Sequence, residues 1–178
     1  MNEIETLKKY FGYDAFREGQ KELITNILQG KDVLGIMPTG AGKSICYQVP
    51  AAMMEGITLV ISPLISLMKD QVGTLNENGI RAAFFNSSLT FAQYQKALQL
   101  AKQYTYKIIY VAPERLLNDE FLAFAKQMNI AMVCVDEAHC VSQWGQDFRP
   151  HYLQIQSFLK QLPKRPIVSA LLATATQR

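Results

Sequence analysis

Six short apolar runs punctuate the chain, at residues 33–37, 58–61, 82–85, 108–111, 132–135 and 167–171, and amphipathic stretches separate them. The runs are continuously apolar rather than alternating, which predicts strands buried on both faces. Strand–helix alternation of this kind predicts an α/β fold, a mostly parallel sheet flanked by helices on both faces. Between the runs, Leu64, Leu67, Met68, Val72 and Leu75 share one helical stripe. Thr90 and Gln93 form a capping box ahead of Tyr94, Leu98 and Ala101. Residues 121–125 suit a short helix, and Leu153, Ile155, Phe158 and Leu159 mark a helix stopping before Pro163. Two helices precede the first run. One carries Ile4, Leu7 and Phe11 and ends at Gly12; the other carries Leu23, Ile24, Ile27 and Leu28 and ends at Gly30. With no internal repeat or linker, the 178 residues are expected to form one domain, with helices filling residues 1–30.

Open parallel sheets bind ligands beyond the carboxyl ends of their strands. Polar residues gather after every run here. The first run leads into Pro38-Thr39-Gly40-Ala41-Gly42-Lys43-Ser44, and then into Ile45-Cys46-Tyr47-Gln48, which has helical potential. Strand, glycine-bearing loop and helix are the parts of a phosphate site. Gly40 and Gly42 let backbone N–H groups point inward where a side chain would meet a polyphosphate. The helix N-terminus adds dipolar attraction for the anion. Lys43 can reach the β/γ-phosphates and the Ser44 hydroxyl can ligate Mg²⁺. The general pattern opens with glycine, and here that position is Met37. A solvated glycine turn is the plainer alternative, and Gly-x-Gly-Lys-Ser after an apolar run favours nucleotide binding over it.

A second acidic site lies after the fifth run, at Asp136-Glu137-Ala138-His139. Nucleotide hydrolysis needs Mg²⁺ held by a carboxylate and an attacking water oriented by another group. Asp136 suits the metal, and Glu137 suits positioning and deprotonating the water. His139 fits neither role and suits a hydrogen-bonded link from this site to another. A two-carboxylate hydrolase would use the pair but leave the lysine loop without a purpose.

Composition narrows the setting. A formal charge of +3 permits a nucleic-acid partner without arguing for one. Three cysteines without metal-ligand spacing read as reduced thiols, two of them inside apolar runs. The N-terminus has no secretory character, and the longest apolar stretch, 57–68, is interrupted by Ser62, Pro63 and Ser66. A soluble cytoplasmic protein without a membrane partner is expected.

The combination of Met-Pro-Thr-Gly-Ala-Gly-Lys-Ser with Asp-Glu-Ala-His resembles superfamily-two helicases, whose loop tolerates a residue other than glycine at the Met37 position. Along nearly its whole length the chain is more specifically similar to RecQ-family DNA helicases. Phe11-Gly12-Tyr13, Phe16-Arg17 and Gly19-Gln20 look like that family's motif ahead of the phosphate loop. The resemblance implies that Tyr13, Arg17 and Gln20 contact ATP, with Gln20 at the adenine edge, alongside Thr39, Gly40, Ala41, Gly42, Lys43 and Ser44. A glutamine amide can both donate to and accept from adenine. The stretches 62–71 and 110–116 resemble family segments that face DNA. Residues 136–150, Asp-Glu-Ala-His-Cys-Val-Ser-Gln-Trp-Gly-Gln-Asp-Phe-Arg-Pro, are similar to an aromatic-rich loop that senses single-stranded DNA and couples it to hydrolysis. The implied sensing residues are His139, Gln143, Trp144, Phe148 and Arg149. The residues agree with this: Trp144, Phe148 and Arg149, in a stretch with Gly145 and Pro150, read as a loop that offers stacking surfaces to bases. Leu172 stands where the family usually has threonine, and Thr174 and Thr176 remain.

The resemblance implies the first RecA-like motor lobe of a 3′–5′ DNA helicase, acting as a monomer with Mg²⁺ and ATP on single-stranded and duplex DNA. Such helicases hold nucleotide between two lobes, and no second lobe is present here, so the chain alone is expected to be nearly inactive. A free-standing phosphate-loop module or non-helicase ATPase is the competing class, and the 142–149 loop argues against it. An RNA helicase is a smaller alternative, which the residues do not separate from a DNA enzyme without the resemblance.

Overall fold

The computed structural model describes residues 1–38, 42–136 and 148–174, with backbone alone at 148–152 and 174. In chain order these form α1 (Glu3–Phe11), α2 (Gln20–Leu28), β1 (Val33–Pro38), α3 (Ile45–Met53), β2 (Ile57–Ile61), α4 (Ile65–Glu77) and β3 (Ala82–Phe85). They continue with α5 (Phe91–Lys102), β4 (Ile108–Val111), a 3-10 turn (Pro113–Arg115), α6 (Asp119–Gln127), β5 (Ile130–Val135), α7 (Phe148–Gln161) and β6 (Ile167–Thr174).

Local chemistry sets the helix ends. Asn2 accepts from Glu5 N to open α1, and Gly12, in the left-handed region, closes it. The Thr90–Gln93 capping box opens α5 with both of its hydrogen bonds formed. Asn118 caps α6 by accepting from Phe121 N.

The strands form one sheet in the order β1-β6-β5-β2-β4-β3, and every pairing among the described residues is parallel. Helices cover both faces, as the alternation predicts. On one face, Phe85, Tyr94, Phe121, Phe124 and Phe158 from α5, α6, α7 and the sheet make the core. Phe121 is its hub, with ring contacts to Phe85, Phe124 and Phe158 at 5.8, 5.9 and 6.0 Å. On the other face, Tyr47, Met68, Val72 and Leu75 from α3 and α4 pack on Val60, Tyr110 and Cys134. Leu7, Ile24 and Val49 join α1, α2 and α3 outside that layer.

Three sequence expectations are corrected. The run at 33–37 is not a buried strand: β1 is a sheet margin, and Leu34 and Ile36 are 62% and 59% exposed. Only Gly35 and Met37 of that strand turn inward and are buried. Phe148, Arg149 and Pro150 belong to the first turn of α7 rather than a loop, where proline's missing N–H does no harm. Leu153, expected on the inner stripe of that helix, is half exposed, whereas Ile155 and Phe158 are buried.

Because all strands run the same way, their carboxyl ends share one edge. The strand order divides the polar turns along that edge into two groups. The phosphate loop after β1 and Asp136 after β5 lie toward one end. Ser62, Pro113 and Asn86, which come after β2, β4 and β3, line the other.

Candidate nucleotide-binding site

The phosphate loop's described part begins at Gly42, whose φ of +76° lies in the left-handed region that suits glycine. A Cβ built there would lie 2.5 Å from Gln20 Nε2. The close approach has a purpose: Gln20 Nε2 donates to Gly42 O at 2.9 Å, while Gln20 Oε1 accepts from Arg17 N at 2.8 Å. One buried amide therefore ties the turn before α2 to the phosphate loop. Lys43 Nζ lies 3.1 Å from Asp136 Oδ1, with the two side chains 13% and 4% exposed. That ion pair spans β6, which separates β1 from β5 in the sheet. Asp136 itself extends the ladder, since its N–H donates to Ile61 O at 2.9 Å.

A cleft of about 280 Å³ adjoins this junction, lined by Tyr13, Arg17, Gln20, Gly42, Ser44 and Gln48 among others. Tyr13 is half exposed at its mouth. The donor set fits a nucleotide: an exposed ring and guanidinium for a base, a glycine turn and lysine for phosphates, and a hydroxyl and carboxylate for a divalent cation. Tyr13, Arg17, Gln20, Gly42 and Ser44 are thus brought together on one cleft, with Lys43 and Asp136 beside it. Thr39, Gly40, Ala41, Glu137, His139, Gln143 and Trp144 lie outside the described residues, as do the side chains of Phe148 and Arg149.

Met37, at the position where the loop pattern expects glycine, is a core residue. It is buried, and its sulfur accepts from the Cys46 thiol at 3.3 Å. Burial pushes that thiol up to about 12, so Cys46 is inert at neutral pH.

The sequence reading missed a buried polar group behind the cleft. Gln48 Nε2 donates to Gln71 Oε1 at 2.9 Å and to Tyr110 Oη at 3.1 Å, and Tyr110 Oη lies 2.6 Å from Tyr47 Oη. Burial drives both tyrosines above the ordinary phenol range. The available signal was Gln48 itself, a polar residue inside the otherwise apolar run of α3. At the far end of the strand edge the Ser62 and Asn86 side-chain oxygens accept from residues two positions on, and one longer bond is added by Arg115. Ser62 Oγ accepts from Leu64 N at 3.2 Å. Asn86 Oδ1 accepts from Ser88 N and Ser88 Oγ at 2.8 and 2.6 Å. Arg115 donates to Asn86 O and lies 4.8 Å from the Tyr94 ring centroid.

The DEAD/DEAH box helicase family matches residues 17–178. The chain belongs to that family. It is 50% identical over 171 residues to the ATP-dependent DNA helicase RecQ of Bacillus subtilis (strain 168), which covers 96% of this chain and 29% of that protein. The chain therefore spans under a third of the length of this relative. Among solved structures, DUF1998 helicase MrfA bound to DNA superposes with a TM-score of 0.78 at 20% identity, covering 99% of this chain and 27% of that one. A hypothetical ATP-dependent RNA helicase from Sulfolobus tokodaii gives 0.75 at 24% identity, covering 98% and 51%. At those identities the likeness shows the fold alone. No helix among the described residues is long and apolar enough to cross a membrane.

Proposed function

We propose that residues 1–178 are the ATP-binding lobe of a DNA helicase of RecQ type, with residues 1–30 supplying the base-recognising helices. The observation that carries this reading is the Gln20 amide bonded to Gly42 O, with Lys43 set on Asp136 beside it. Base wall, phosphate loop and metal carboxylate then belong to one site.

In this reading Tyr13 and Arg17 flank the base, and Gln20 exchanges its bonds to Gly42 O and Arg17 N for the base edge. Thr39, Gly40, Ala41 and Gly42 turn backbone N–H groups toward the phosphates, and Lys43 exchanges Asp136 for them. Ser44 and Asp136 hold Mg²⁺, which neutralises phosphate charge when bound. Glu137 orients and deprotonates the attacking water. The stretches 62–71 and 110–116, which follow β2 and β4, face single-stranded DNA, because helix N-termini and strand-end turns offer N–H groups to backbone phosphates. His139, Gln143, Trp144, Phe148 and Arg149 report bound DNA to the ATP site. Hydrolysis coupled to 3′–5′ unwinding needs the second lobe, whose arginine contributes roughly 10³–10⁵ in rate in related enzymes. The protein acts as a monomer in the cytoplasm.

Thermal denaturation with and without Mg-ATP, in wild type and Lys43→Ala, tests this. Ligand at about 100 times its Kd adds roughly 2.7 kcal/mol, or about 5–11 °C for a domain of this size. The shift is expected in wild type and absent in Lys43→Ala; an equal shift in both would sink the reading, and none in wild type at millimolar nucleotide would mean that the site is incomplete without its partner lobe. Titrating Trp144 fluorescence with oligo-dT at low salt tests the DNA side, where a flat signal counts against the sensing role.

A further inference from the structure

Gln48 sits early in α3, the helix that continues the phosphate loop, and is buried. Its Nε2 group has two hydrogens, and both are used: one on Gln71 Oε1 of α4, the other on Tyr110 Oη of β4. Gln71 closes the 62–71 stretch and Tyr110 opens the 110–116 stretch, the two segments that the functional reading assigns to DNA. A single amide therefore joins the phosphate-loop helix to both of them. Gln48 and Gln71 also line the nucleotide cleft on their other side. Tyr47 completes the group from α3, through the hydroxyl pair with Tyr110.

Packing alone does not require this arrangement. Leucine and phenylalanine would fill the same space with no demand on direction, and buried polar networks are retained where they fix one relative placement of their elements. Two hydrogen bonds from one planar amide set the offset of α3 against α4 and against β4 together. A shift of α3 on nucleotide binding then has to move both partners or break a bond that water cannot replace.

We propose that Gln48 is a positioning residue that transmits nucleotide occupancy to the DNA-facing segments, with Tyr110 as its essential partner. This rests on the proposed assignment of the nucleotide and DNA sites. The mutual dependence of the two ligands is its signature, because coupling between sites is reciprocal.

The test uses the 178-residue chain. Affinity for a Mg²⁺-bound, non-hydrolysable ATP analogue is measured with and without a saturating short oligo-dT at low salt, and oligo-dT affinity with and without the analogue. In wild type each ligand is expected to change the other's Kd by the same factor, about fivefold or more. Tyr110→Phe, at a buried ring outside the cleft lining, keeps the volume and loses the bond; it should bind each ligand alone near wild-type affinity while the factor falls toward one. Gln48→Met, at the cleft wall, should lose the factor as well whatever its affinity for the nucleotide alone. If wild type binds neither ligand, the functional reading falls and takes this proposal with it. If wild type binds both without mutual effect, or the variants keep the wild-type factor, the proposal alone is overturned. Single-ligand affinities of Tyr110→Phe that fall in step with its melting temperature would make the group merely structural and would also overturn it.

Discussion

The two ends of the strand edge are built differently. At the nucleotide end, polar groups are tied to partners far away in sequence: Gln20 to Gly42, Lys43 to Asp136. At the other end the side-chain oxygens of Ser62 and Asn86 are tied to neighbours two residues on, Leu64 and Ser88, and Arg115 adds one longer link to Asn86 O. The first arrangement exists only when the whole sheet has formed, whereas the second is turn chemistry that a short segment can make for itself. The proposed nucleotide site is therefore held by the tertiary fold. The surface proposed to face single-stranded DNA is held largely by its own turns. Damage at the first end should reach global stability and ligand together, and damage at the second should stay local.

The largest effect is expected from Lys43→Met, which removes the cation facing the buried Asp136 carboxylate. Unfolding in urea should show a loss of about 3 kcal/mol, and the nucleotide-induced thermal shift should vanish. Adding Asp136→Asn should restore much of the stability and none of the shift; equal losses in single and double variants would break the comparison. Next comes Gly42→Ala, which forces a side chain into the left-handed region and onto Gln20. A cost of about 1–2 kcal/mol should accompany loss of nucleotide binding measured by calorimetry. At the other end, Ser62→Ala should cost about 1 kcal/mol or less and leave the nucleotide shift intact, while weakening oligo-dT binding at low salt. A Ser62→Ala variant that lost nucleotide binding would show that the two ends are not separately built.

The smallest effect belongs to the surface pair of Asp32 and Arg165, which sits away from both ends. Arg165's hydrogen bonds, helped by the Val168 N–H, hold the Asp32 carboxyl below its ordinary value against partial burial. A depressed carboxyl stabilises the fold above its unfolded value and stops doing so as pH falls through the folded one. Asp32→Asn should therefore lower the melting temperature by about 2 °C or less near pH 7. The difference should shrink below about pH 4, near the ordinary 3.8. A gap that widened on acidification would reverse the sign of this argument.

Much of this could be read from the sequence, for identifiable reasons. Residues 82–85 and 108–111 are strands as expected, and the Thr90–Gln93 box caps α5, because run length and capping are local properties. The margin position of β1 was not legible. A run of Val-Leu-Gly-Ile-Met has the same composition at a sheet centre or a sheet edge, and strand order is decided by which helices compete for each face. The start of α7 was not legible either, because Gly145 and Pro150 suggest a loop, although proline sits comfortably in a first helical turn. Lys43 and Asp136 were legible as chemistry but not as a pair, since 93 positions separate them and only the insertion of β6 between β1 and β5 sets their distance. Gln48 gave no signal strong enough to stand out, because a single glutamine in an apolar helix carries no motif.

The open margin at β1 has a consequence for handling the protein rather than for its chemistry. Leu34 and Ile36 point outward from a strand whose outer N–H and C=O groups face no neighbouring strand among those described. Such a margin is a template for another chain to pair with, and natural sheets usually blunt it with charge, proline or a bulge. Here the blunting residues stand only at the ends, Lys31 and Asp32 before the strand and Pro38 at its close. The middle of the strand is left apolar and exposed, so Leu34→Lys is expected to reduce self-association in a concentrated solution, measured by light scattering, more than its one added charge would elsewhere on the surface.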